Sequence, residues 1–91
     1  MTLAFLNPSR SYDETRRAVR FLGHDGMFEI RFFVEVDVFA GKDSVSHGDR
    51  PSEAASLSAF DTSIDAIHHV AKKAYAKNRR DIYTLTVDDF V

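Results

Sequence analysis

The histidines and carboxylates of the second half are the first residues to weigh for chemistry. His68 and His69 are adjacent, about 100° apart on a helix, so they cannot share one metal ion in the i, i+4 manner. Asp65 and His69 are four apart, and Asp61 lies one turn earlier, so two carboxylates and an imidazole form a weak set for a divalent cation. A metal centre needs three or four convergent ligands, and a surface ion pair explains the same spacing. No metal and no cofactor are therefore expected, with Asp61, Asp65 and His69 kept as the weak metal candidates. His68 is expected at the edge of a helix seam between Asp61 and Tyr75, and His24 and His47 in solvent.

Two groups of cations come next. The run over 72–80 holds Lys72, Lys73, Lys77, Arg79 and Arg80, a pattern suited to phosphates but also to the negative end of a helix dipole. Arg20, Arg31 and Phe33 fall on one face of a predicted hairpin, and cations beside an aromatic ring on a sheet are how single strands are stacked and held. Glu29 interrupts that set, and no Lys/Arg-Gly-Phe signature accompanies it. For catalysis the inventory is thin, and no catalytic residue is assigned. The four glycines are scattered, without a phosphate-cradling loop or a nucleophile elbow. The serines suit turns and helix starts, and Asp88-Asp89 suits a helix start better than a carboxylate pair.

Bulk properties narrow the classes further. The 91 residues suit one domain with a modest core, and 44% hydrophobic with 29% charged residues is ordinary for a globular protein. A net charge of −2 supplies no field for nucleic acid or acidic lipid. Without cysteine there is no disulfide, thiolate zinc site or thiol nucleophile. The first ten residues lack the pattern of a secretory signal, and no apolar run reaches the ~18 residues of a membrane span. The expected location is the cytoplasm.

The elements that must position these residues are organised by the stretch 51–78. Leu57, Phe60, Ile64, Ile67, Ala71 and Ala74 recur at spacings of three and four, which predicts one long amphipathic helix of about 40 Å. Pro51 suits its first position, with Ser52 and Glu53 in a compatible first turn. Earlier in the chain, 17–24 and 27–34 flank Asp25-Gly26, a dipeptide suited to a type I′ hairpin turn. Counting out from that turn pairs Phe21 with Ile30 and Val19 with Phe32 on an apolar face that packs under the helix. The opposite face pairs Leu22 with Glu29, Arg20 with Arg31 and Ala18 with Phe33.

The remaining segments are short. Leu3-Ala4-Phe5 reads as a strand stopped by Asn7-Pro8, 9–14 as a polar turn, 42–50 as a surface loop and 82–86 as a last strand. Residues 35–41 read both ways, since Val36, Val38 and Phe39 favour a strand and Gly41 suits the end of a strand or a short helix. Glu-Val-Asp-Val-Phe at 35–39 echoes Thr-Val-Asp-Asp-Phe at 86–90, which suggests a strand-to-helix transition at each, with Thr86 capping a turn whose third residue is Asp89. The order β-β-β-(α)-α-β-(α) predicts a single α+β domain over 1–91. It is expected to have an antiparallel-rich sheet of about four strands with the long helix across one face.

Several short pieces together resemble a known family. They are Phe5-x-Asn-Pro with Tyr12-Asp13, Arg17-Ala18-Val19-Arg20-Phe21, the junction from Phe33 to Phe39, Ala59-Phe60-Asp61 with Ile67-His68, and Tyr83-Thr84-Leu85-Thr86 running into Asp89-Phe90. In this order they are similar to the small bacterial family known as domain of unknown function 1488, over nearly the whole chain. The resemblance implies a small α+β domain with a short helix after the third strand and another at the C-terminus. It implies no catalytic residue and no ligand.

The leading expectation is a small cytoplasmic, non-enzymatic module that binds a protein partner or itself. Its surface would be Arg20, Leu22, Met27, Arg31 and Phe33, where apolar groups exceed what a small core covers. The alternative is weak single-stranded nucleic-acid binding through Arg20, Arg31 and Phe33, and the third reading is a metal-dependent activity. Whether that second sheet face is exposed or covered by the short helices at 35–41 and 87–91 is open at the level of sequence.

Overall fold

Four strands form one mixed, mostly antiparallel sheet in the computed structural model, which describes residues 3–5, 10–39 and 53–90. They are β1 (Arg10–Asp13), β2 (Ala18–Asp25), β3 (Phe28–Glu35) and β4 (Ile82–Leu85), in the spatial order β1-β2-β3-β4. The first three are antiparallel neighbours. β4 runs parallel to β3, because among the described residues the chain crosses back through two long helices, as a parallel pair requires. These helices are α1 (Glu53–Thr62) and α2 (Ile64–Lys77). The α+β class is as expected. The loop expected over 42–50, with His47, and the helix-opening Pro51 and Ser52 lie outside the described residues.

The helix–sheet seam follows the periodicity closely. Phe60, Ile67 and Ala71 are buried in one cluster with Val19, Phe21, Ile30, Phe32, Val34, Tyr83 and Leu85, and Leu57, Ile64 and Ala74 pack against it. What differs is continuity: the predicted single helix is broken at Ser63, whose φ of −104° and ψ of 18° are not helical. The Asp61-Thr62-Ser63 run is poor in helix propensity, and Thr62 Oγ1 donates back to the Ser58 carbonyl at 3.0 Å, a bond that bends helices. Ser63 N–H donates to the carbonyls of Ala59 (3.0 Å) and Phe60 (3.2 Å), so the ladder bends without coming apart.

The hairpin turn is Gly26-Met27, not Asp25-Gly26. Gly26 carries φ of +62°, and Met27 is not in the positive region, so the turn is of the II′ kind with glycine at its first central position. A type I′ turn would have forced positive φ on Asp25 as well. Register therefore shifts by two residues, which keeps every side chain on its expected face but changes its partner. Phe21 now lies opposite Phe32, with rings stacked at 5.1 Å, and Arg20 lies opposite Phe33 instead of Arg31. The like-charge pair is gone.

The chain start is also arranged differently. Residues 10–13, expected as a turn, form β1, an edge strand whose Tyr12 packs against the core. Its loop to β2 is held by Asp13 Oδ1, which accepts from Arg16 N–H at 3.0 Å, and by Arg17 at φ of 51°. Leu3-Ala4-Phe5 contributes a single bridge to β2, in which Ala4 and His24 exchange both backbone bonds at 2.8 and 2.7 Å. At 35–41 the strand ends at Glu35 and residues 37–39 are helical, which resolves the two readings for those positions. The echoed segment does the same: β4 ends at Leu85 and a 3-10 turn covers Val87–Phe90. There Thr86 N–H donates to Asp89 Oδ2 at 2.8 Å, so the acid three residues on reaches back to the cap.

Candidate functional site

A cleft of about 400 Å³ opens at the hairpin end of the sheet. Asp25, Phe28, Glu29 and Ile30 supply one wall, and Tyr75, Arg79, Arg80 and Asp81 the other. The first group is there because the II′ turn leaves Asp25 inside the strand, on the core-facing parity with Gly23 and Phe21. The second comes from the end of α2 and the link into β4.

Two tyrosines hold these walls in place. Tyr75 donates its hydroxyl to Asp25 Oδ2 at 2.6 Å, and Asp25 is only 7% exposed. That hydrogen bond, with burial and the carboxylate's charge, pushes the Tyr75 phenol above its ordinary pKa. A phenol held protonated is a poor base and a poor nucleophile, so the pair acts as a strut. The Tyr83 hydroxyl accepts from Arg80 N–H at 2.7 Å and donates to the Asn78 carbonyl, which fixes the turn carrying Arg79 and Arg80. The Arg79 guanidinium stands over the Tyr75 ring, 5.6 Å from its centroid. Asp25, Tyr75 and Tyr83 were not among the expected site residues. The usable signal was that a tyrosine on an apolar face needs a partner for its hydroxyl.

The expected site residues are dispersed. Asp61 is taken by a bidentate pair with Arg10 of β1, Nε to Oδ1 at 2.9 Å and Nη2 to Oδ2 at 2.8 Å, which holds its carboxyl below the usual range. Asp65 and His69 are exposed on α2, across the break from Asp61. Among the described residues, no three His, Cys, Asp or Glu side chains group as metal ligands do. His68 is half-buried at the seam edge, stacked on Phe5 at 3.8 Å and 5°. Burial first, then the Lys72 charge, pushes its pKa down, against a smaller opposing effect of Asp65. His24 is not a solvent-facing turn residue: its side chain is 25% exposed, and Nδ1 is buried with no hydrogen-bond partner among the described residues.

On the second sheet face Arg20, Leu22 and Arg31 are neighbours, and Arg20 and Leu22 line a small pocket of about 130 Å³ with Arg10, Ser11 and Phe21. Phe33 shares that face but is only 4% exposed, with the Arg16 guanidinium 4.5 Å above its ring. Met27 stands apart at the turn, 98% exposed, next to Phe28 at 73%. Among the described residues no helix is long and apolar enough to cross a membrane.

With this arrangement in view, residues 3–87 match the family model described as protein of unknown function, DUF1488. The chain belongs to the DUF1488 family. No curated protein and no solved structure gives a significant match. Membership in DUF1488 brings no assigned chemistry.

Proposed function

We propose that this DUF1488 chain is a small bacterial, cytoplasmic protein that works by binding another protein and performs no chemistry of its own. One observation carries the reading: Met27 and Phe28, two large apolar side chains in sequence, are 98% and 73% exposed beside the mixed-charge cleft. Neighbouring apolar side chains at a turn tip cost solubility unless something covers them. Phe28, Ile30 and Tyr75 with Arg79, Arg80, Asp25, Glu29 and Asp81 have the composition of a protein contact, apolar and aromatic with charges of both signs.

Nucleic-acid binding has less behind it. Its aromatic platform, Phe33, lies under Arg16, and the cleft mixes carboxylates with its arginines. The test is a comparative capture. Phe28→Asp and Met27→Asp, both at exposed positions, should keep the far-UV circular dichroism of the wild type and lose the partners that the wild type retains. Unchanged capture by both variants would rule out the hairpin tip as the contact.

A further inference from the structure

β4 is the outer strand of the sheet, and the two edges of that sheet are built differently. The β1 edge carries charge at both ends, Arg10 and Asp13. β4 is Ile-Tyr-Thr-Leu, with no charge, proline or bulge to discourage another strand. Arg31 N–H donates to the Asp81 carbonyl at 3.0 Å, and Arg31 pairs with Ile82. It follows from parallel pairing that Asp81, Tyr83 and Leu85 turn their backbone groups towards β3, while Ile82 and Thr84 turn theirs outward. Among the described residues nothing hydrogen-bonds those outward groups. Ile82 is 39% exposed and Val87, just beyond the strand, is 45% exposed, so apolar side chains accompany the open backbone.

We propose that this edge pairs with β4 of a second copy of the chain, antiparallel about a two-fold axis at Tyr83, to make one continuous sheet. The strand is self-complementary in that register. Ile82 meets Thr84 of the partner and Thr84 meets the partner's Ile82, each pair exchanging both backbone bonds, and β-branched side chains face each other on the outer surface. Charge chooses the partner and the direction. Arg79-Arg80 precede the strand and Asp88-Asp89 follow it, so an antiparallel copy sets the basic end of one chain beside the acidic end of the other, twice. A parallel copy would oppose like charges. The contact shares Arg79 and Arg80 with the cleft but leaves out Met27 and Phe28, so this proposal goes beyond the partner-binding reading, and the Ile82 and Thr84 variants test it apart from that reading.

Sedimentation equilibrium of the full chain, from about 1 μM to about 1 mM, tests it directly. The expected result is a reversible monomer–dimer equilibrium that weakens with salt and forms nothing larger, because an isologous contact closes on itself. Thr84→Pro removes only an outward N–H, and Ile82→Lys puts a charge on the edge; each should raise the dimer dissociation constant about tenfold or more. Arg79→Glu with Arg80→Glu should also weaken the dimer, and adding Asp88→Arg should recover part of the loss. If Thr84→Pro does not fold, Ile82→Lys, at an exposed position, decides alone. A monomer at every concentration, a higher oligomer, or a dimer indifferent to these variants would overturn the pairing.

Discussion

The Tyr75 hydroxyl and the Asp25 carboxylate, 50 residues apart, meet at 2.6 Å and join the end of α2 to the last residue of β2. The bond sets the distance between the two walls of the cleft. It also ties the hairpin turn, with its exposed Met27 and Phe28, to the helix.

The phenol should report this contact on titration. Its pKa lies above that of a free tyrosine because the hydrogen bond to Asp25 holds the phenol proton, with burial and the carboxylate's charge adding to it. In a phenolate absorbance titration of the wild type, Tyr75 should ionise above the free-tyrosine range, and Asp25→Asn should bring it forward. The unfolded chain loses its phenol proton near pH 10 while the fold retains it, so stability from this group is intact below about pH 10 and falls above it. A titration unchanged by Asp25→Asn would mean that the pair does not hold in solution.

Gly23 explains how residues 3–5 lie alongside β2 with Leu3 and Phe5 against the core. A Cβ there would come within 2.9 Å of Leu3 Cδ1, 3.1 Å of Phe32 Cε2 and 3.2 Å of Phe5 Cε1. Leu3 is buried and Phe5 stacks on His68, so neither moves without losing contacts. Gly23→Ala should therefore destabilise by about 1–3 kcal/mol in urea unfolding, the usual cost of overpacking. An unchanged or higher midpoint would show that Leu3 and Phe5 are loosely held.

His68 predicts a distinct acid-side slope. Its folded pKa is lowered, chiefly by burial, so between that value and the unfolded value near 6.5 the unfolded chain binds more protons. Stability from this group is complete above about pH 6.5 and declines as the pH falls through the window. Asp13 and Asp61, both with lowered pKa, add their loss only below about pH 4. Thermal midpoints across this range should fall in two stages, and His68→Phe, which keeps a ring against Phe5, should remove the first. Persistence of that first stage in the variant would assign it to another group.

The amino-acid sequence alone determined whatever rests on short-range periodicity. The stripe of Leu57, Phe60, Ile64, Ile67, Ala71 and Ala74 faces the sheet as read, because i, i+3 and i, i+4 neighbours share a helix face whatever the rest of the chain does. The parity of β2 and β3 was legible for the same reason, whereas 35–41 stayed open between strand and helix, and only the echo of 35–39 in 86–90, where Asp89 sits three residues after its cap, suggested a strand-to-helix transition at each. Tertiary structure decided what parity leaves degenerate. A two-residue slip preserves both faces, so only the demand for one positive φ at Gly26 selected the register that removes Arg20 from opposite Arg31. β1 has too little apolar content to declare itself and exists because β2 offers an open edge. Asp25 with Tyr75, Arg10 with Asp61 and Arg16 over Phe33 are decided in space, by strand ends and helix ends that local spacing does not relate. These pairings moved the candidate site from the expected sheet face to the hairpin end of the fold.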